Sequence, residues 1–331
     1  MDLNELSVLS LWSAMAMYAL AFIAFALDLA RRSAEVTAVS QVTASAETTT
    51  TATAAASSSG TPVATLTRAD VDAPQVPAKR SPVLRVAVAL TVIGFLLQLT
   101  ATITRGVAAE RVPWANMYEF AMTGTLLIIA VYLAVLVRVD LRFLGTFITG
   151  LVLVLLGIAA VNFYVEVVPL PPALQSAWLI IHVFVASTAT AFFALGFALS
   201  VLQLVQHRRQ LIGMDLQKLK LKFLATLPSS DRLENLAYRT NIVAFILWTF
   251  TLIAGAIWAE RAWGRYWGWD TKEVWTFIIW VIYAGYIHAR ATRGWRGSRS
   301  AWLSIIGFTA VMFNFSVVNL FFKGLHAYSG L

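Results

Sequence analysis

The chain has 331 residues, 59% of them hydrophobic and 13% charged, with a mean hydropathy of +0.73. That composition excludes an ordinary soluble enzyme and marks an integral membrane protein. Cysteine is absent, which excludes disulfides, thiolate ligands and a thiol relay within the chain.

A membrane-spanning helix needs about 20 mainly apolar residues. Eight stretches qualify in chain order: Leu9–Leu27, Val86–Ile103, Phe120–Val137, Phe143–Val161, Trp178–Val205, Ile242–Trp258, Val274–Ile287 and Trp302–Phe322. The seventh is short and contains two Trp and two Tyr. None shows the ten-residue alternation of a transmembrane β-barrel strand. The predicted fold class is an all-α integral membrane protein of about eight transmembrane helices. The first stretch lacks a small-residue cleavage site and is followed by Asp28, Arg31 and Arg32, so residues 1–32 read as a retained anchor. Residues 33–82 are mostly Ala, Thr, Ser and Val with scattered Pro, and are expected to form a disordered cytoplasmic linker. Residues 83–331 form the membrane domain. Between His207 and Arg239, Leu216, Leu219, Leu221 and Leu224 interleave with Lys and Gln, which predicts an amphipathic helix on the inner surface.

Basic residues set the orientation. With the N-terminus outside, nineteen of the 25 Lys and Arg fall on the cytoplasmic side, among them Arg31, Arg32, Arg142, Arg208, Arg209 and Arg290. The other side keeps Arg105, Arg111, Arg261, Arg265, Lys272 and Lys323. The positive-inside rule therefore supports eight spans with both termini extracytoplasmic. Orientation and anionic headgroups account for the net charge of +8 without nucleic-acid binding.

The segment from Trp263 to Glu273 reads W-G-R-Y-W-G-W-D-T-K-E, and four Trp lie between Trp258 and Trp269. An interfacial aromatic belt would explain one or two. Four Trp alternating with Gly and ending in Asp270 and Glu273 fit a binding surface for a large flat apolar partner, placed outside by the topology. Only four histidines exist. His182 lies near the outer end of the fifth span, in W-L-I-I-H-V, and His326 lies just beyond the eighth, in G-L-H-A-Y. His288 closes the seventh span at its inner end, whereas His207 belongs to a basic surface run. A lone interfacial histidine is usually just hydrogen-bonded, but two on one outer face, flanking the Trp loop, suggest iron ligands for a porphyrin. The indoles and Tyr266 would supply stacking area, and Gly264 and Gly268 would permit close backbone approach. Arg261, Arg265 or Lys272 could pair with propionates. Asp270 and Glu273 could orient imidazoles, cap the next helix or hold the loop, with capping favoured for Asp270.

These residues resemble the tryptophan-rich WWD signature of the haem-handling proteins of cytochrome c biogenesis. W-L-I-I-H-V and G-L-H-A-Y match that family's two external histidines, and P-W-A-N-M-Y-E-F (Pro113 to Phe120) resembles its other outer-loop motif. The chain is most similar to the System II CcsA/ResC type, sometimes designated CcsB, and departs from it at Thr271, where the family often has Pro. The resemblance implies haem b as substrate or cofactor. It makes His182 and His326 the axial ligands of an external haem held against Trp263, Gly264, Arg265, Trp267, Trp269, Asp270 and Glu273, with the Trp-rich loop spanning 258–275. His288 would serve an inner haem together with a histidine of a ResB-like partner. The implied activity is that of a holocytochrome c synthase (haem lyase) subunit, active only with that partner, at the plasma membrane. No residue beyond the haem ligands is assigned a catalytic role. Apocytochrome c with a C-x-x-C-H site would be the acceptor, and thioredoxin-like and CcdA-like proteins would keep its thiols reduced. The alternatives are a CcmC-like haem exporter or a bis-histidine membrane electron carrier.

Overall fold

The structure is a computed structural model and describes residues 2–54, 81–167, 176–211, 222–292, 294–322 and 324–326. Its helices are α1 (Leu3–Ala54), α2 (Pro82–Ala108), α3 (Met117–Leu136), α4 (Gly145–Asn162), α5 (Ala177–Leu211), α6 (Ser230–Trp263), α7 (Thr271–Thr292), α8 (Ser298–Phe315) and α9 (Val317–Phe321). No strand occurs among the described residues. Seven segments, counting α8 with α9, are long and apolar enough to cross a bilayer. The eighth expected span is α7, whose 22 residues reach roughly 33 Å. It is more polar because it opens with Lys272 and Glu273 and buries Tyr283 and Tyr286. Polar handles seat it against α6: Trp248 Nε1 donates to the Thr276 carbonyl at 3.1 Å, and Trp280 Nε1 donates to Thr249 Oγ1 at 3.0 Å.

Local chemistry sets the helix ends. Ser81 caps α2, with Pro82 following, where a missing N–H costs nothing. Asn116 Oδ1 caps α3 by accepting from Glu119 N at 2.9 Å. Gly264 ends α6 at φ 71°, a left-handed conformation that residues with a Cβ adopt only at a cost. Ser316 separates α8 from α9, and its Oγ bonds back to the Met312 carbonyl at 2.6 Å, a contact that bends helices.

One sequence expectation is corrected. Helix α1 continues through Ala54, so the segment from Ser33 to Ala54, expected to be disordered, is helical. No Gly or Pro interrupts the chain before Gly60, and helix propagation is cheap without a breaker. Residues 55–80 of the expected linker lie outside the described residues. The amphipathic helix expected between His207 and Arg239 rests mainly on residues 212–221, which lie outside the described residues. Helix α5 runs on to Leu211, a 3₁₀ turn occupies Lys222–Thr226, and α6 begins at Ser230 after Pro228. Leu216, Leu219 and Leu221 lie outside the described residues, whereas Leu224 packs with Leu227, Phe143 and Leu202.

The surface is inverted relative to a soluble protein. Ile93, Leu96, Val154, Ile246 and Ile253 are exposed, while Gln98, Arg105, Asn241 and Ser304 are buried. Apolar exposure along several long helices defines a multi-pass membrane protein. Polar groups removed from water need hydrogen-bond partners, and Gln98 has them. Its Nε2 donates to Thr125 Oγ1 at 2.8 Å and to the Met122 carbonyl at 2.9 Å. At one end of the bundle a buried ion cluster ties four segments together. Glu119 lies 3.1 Å from Arg105 Nε and 2.6 Å from Arg111 Nη1. Arg105 also donates to Asn4 Oδ1 at 2.8 Å and to the Val165 carbonyl at 2.7 Å. The start of α1, the α2–α3 connection and the chain after α4 therefore share one end. The tryptophan loop and residues 324–326 join them there, as expected for eight crossings.

Candidate functional site

His182 sits one turn into α5 and leans on α6, where its Nδ1 lies 3.0 Å from the Thr251 carbonyl oxygen. A carbonyl only accepts, so this contact places the proton on Nδ1 and leaves the Nε2 lone pair for another partner. Gly255 makes the approach possible: a Cβ there would stand 2.7 Å from His182 Cε1.

His326 is held differently. The Asp270 carboxylate accepts from its Nδ1 at 2.8 Å and from its backbone N–H at 3.2 Å. Hydrogen bonding to His326 holds the Asp270 carboxyl down to about 2, so it is ionised at neutral pH and orients the imidazole with Nε2 directed elsewhere. Gly324 lets the chain pass closely over Asp270, because a Cβ at that position would collide with Oδ1. The capping role expected of Asp270 is present but minor, since Oδ1 accepts from Lys272 N at 3.4 Å. Glu273 closes the loop instead, accepting from Gly268 N at 2.8 Å and from Asp270 N at 3.1 Å. D-T-K-E is thus a reciprocal capping arrangement.

Trp258 joins the two imidazoles. Its buried ring lies nearly parallel to His182 at 6.0 Å and edge-on to His326 at 5.6 Å. Trp263 packs 4.7 Å from Trp258 and 4.8 Å from His326. His182, His326 and Trp258 line one cavity of about 520 Å³ that extends between α3, α4, α5 and α8, a size typical of small-molecule and cofactor sites. Its walls are largely apolar, and Lys272 is the only Lys, Arg, Asp or Glu among the described lining residues.

Other expected site residues stand apart. Trp267 and Trp269 pair edge-on at 6.0 Å outside the cavity lining, and Trp269 is 77% exposed at φ 58°. A bulky side chain in that left-handed region is strained. Arg265 is exposed and folds over Gly268, whose missing Cβ makes room for its guanidinium. Nothing approaches Gly264, which serves as the left-handed stop of α6. His288 is exposed on α7, and no hydrogen bond to its ring is found among the described residues. His207 lies near Gly297 at the opposite end of the bundle. Sequence reasoning missed Trp258 as the wall that both imidazoles pack against and the entry of Lys272 into the same cavity. Their signal was proximity across the fold, which spacing does not reveal.

The donor set fits haem rather than a bare ion. No cluster of three or more His, Asp or Glu occurs among the described residues, and two imidazoles alone leave a free cation under-coordinated. Iron within a macrocycle requires only axial ligands. The fold and site together define a polytopic membrane protein with two oriented imidazoles over an apolar cavity. Residues 114–326 match the family described as Cytochrome C assembly protein, and the chain belongs to that family. Among its relatives, the cytochrome c biogenesis protein CcsA of Guillardia theta is 36% identical over 243 residues, covering 69% of this chain and 80% of that protein. CcsA of Mesostigma viride is 35% identical over 259 residues, covering 71% and 82%. CcsA of Synechococcus sp. (strain RCC307) is 40% identical over 176 residues, covering 48% and 57%. A solved structure, cytochrome c heme lyase CcmF, superposes with a TM-score of 0.61 at 16% identity over 95% of this chain and 47% of its own. At that identity the likeness concerns the fold.

Proposed function

We propose that the chain holds haem in the cavity between His182 and His326 and presents it for covalent attachment to apocytochrome c. The family places the chain in cytochrome c biogenesis. One observation carries the finer reading: both imidazoles border one cavity, and each has its Nδ1 engaged by an acceptor, Thr251 O or Asp270 Oδ2. That arrangement leaves each Nε2 for iron, as the hydrogen-bond partners behind ligating histidines do in metal sites.

Haem is the substrate, and it supplies the vinyl groups to which the thiols of a C-x-x-C-H segment add. Each addition forms one carbon–sulfur bond and moves the thiol proton to the vinyl carbon, with no net oxidation. The protein's contribution is placement. His182 and His326 would hold the iron, and Trp258 sets the cavity wall beside them with Trp263 packed against it and His326. Trp267 with the exposed Trp269 extends the aromatic surface toward the incoming chain. With no cysteine in the chain, thiol reduction belongs to separate partners. His288 would complete an inner haem site with a ResB-like membrane protein. The distribution of Lys and Arg supports an orientation with the tryptophan loop outside. Histidines at one end of the bundle, rather than paired at mid-membrane, favour presentation over electron transfer.

The test is to replace His182 and His326 separately with Gly and follow holocytochrome c assembly and the visible spectrum of the purified protein. Both variants should lose assembly, and added imidazole should restore part of it. Full assembly in both variants would overturn the proposal.

A further inference from the structure

We infer that Lys272 recognises a carboxylate of the bound tetrapyrrole and makes the cavity selective for ligands that carry one. The inference rests on the reading of this cavity as the haem site. Three cations near the loop could serve from the sequence, and the fold separates them. Arg261 is exposed, with its guanidinium 5.5 Å from the centre of the Trp178 ring. Arg265 is exposed over Gly268. Only Lys272 lines the cavity.

Its placement runs against ordinary helix electrostatics. A cation in the first turn of α7 faces the positive end of the helix dipole, and an ammonium among apolar walls loses hydration. Within the described structure little offsets this. Nζ donates to Asn319 Oδ1, a neutral acceptor, and Asn319 is itself pinned because its Nδ2 donates to the Phe315 carbonyl at 2.8 Å. Of the two neighbouring carboxylates, Glu273 accepts from Gly268 N and Asp270 N. Asp270, the one whose charge acts on the ammonium, gives one oxygen to both His326 donors and the other to a backbone N–H. The cavity therefore carries an oriented positive charge without a carboxylate among its described lining residues. A ligand that brings its own carboxylate into reach of Nζ would neutralise it, and haem bears two.

The experiment titrates the full-length protein in detergent with haem and with haem dimethyl ester, following the Soret band. A charge-assisted hydrogen bond shifts affinity by roughly 10–100-fold, so the native protein should prefer haem over the ester by about that factor. Lys272→Met should weaken haem binding to the level of the ester while leaving ester affinity and the bis-imidazole spectrum unchanged, and Lys272→Arg should retain the preference. Equal affinities in the native protein, or an undiminished preference in Lys272→Met, would overturn the inference. If the native protein binds neither ligand, or if His182→Gly and His326→Gly bind haem as it does, the haem reading of the cavity itself fails.

Discussion

The two ends of the bundle handle their histidines in opposite ways. At one end, His182 and His326 are turned inward, each with Nδ1 fixed by an acceptor and both beside the Trp258 ring. At the other, His288 faces outward from α7, and its charged neighbours are committed to holding helices together. Arg290 lies 3.4 Å from Glu234, donates to Asn235 Oδ1 at 2.8 Å and sits 4.0 Å from the Tyr238 ring centre. Glu234 also accepts from Gly297 N at 2.8 Å. The contrast separates two imidazoles oriented within one chain from a histidine presented to whatever lies against the protein. Orientation of an imidazole requires an acceptor behind it, and among the described residues one is found only behind His182 and His326.

The largest break in that comparison should come from His326→Gly. Loss of one oriented ligand is expected to remove the bis-imidazole spectrum and nearly all haem attachment, with partial return on adding imidazole; an unchanged spectrum would remove His326 from the site. Next, Asp270→Ala should lower haem affinity by roughly 10–100-fold, the usual effect of losing a carboxylate behind a ligating imidazole, read by Soret titration. Asp270→Asn, which keeps an acceptor without the charge, should lose less. A smaller effect, about tenfold, is expected for Gly255→Ala, since a Cβ 2.7 Å from His182 must push the ring off the Thr251 carbonyl. Alanine favours helix by about 1 kcal/mol over glycine, so thermal stability without haem should not fall in parallel. Gly285→Ala, which meets open space, is the control and should leave haem affinity unchanged. Finally, His288→Ala should leave the outer-site spectrum of the isolated chain unaltered and alter only haem held with a partner chain. A lost outer-site signal would show the two ends to be coupled.

Much of this protein is legible along its sequence because the membrane imposes a one-dimensional rule. Each crossing needs its own apolar run, so the eight stretches correspond to helices, and Ser81, Asn116 and Gly264 mark their ends. The tryptophan loop and the two histidines beside it were also readable, since the chain has only four His and gathers four of its twelve Trp between Trp258 and Trp269. The division of labour among the loop residues was not. Trp267 and Trp269 look equivalent to Trp263 in sequence, yet only Trp263 reaches His326. Trp258 reads as the end of a span and is in fact the wall shared by both imidazoles. The helical course of Ser33–Ala54 was hidden by composition, because Thr and Ser suggest disorder while the absence of Gly and Pro permits continuation.

The sequence by itself determined the membrane class, the succession of apolar helices, and the existence of two histidines beside an aromatic loop, because hydropathy acts locally along a chain in a bilayer. Tertiary structure alone decided which acceptor stands behind each imidazole, which indole packs against both and which lysine enters the cavity. Those choices join residues 69 positions apart for His182 and Thr251 and 56 apart for His326 and Asp270. Packing geometry, down to the missing Cβ atoms of Gly255 and Gly324, sets distances that no local pattern encodes.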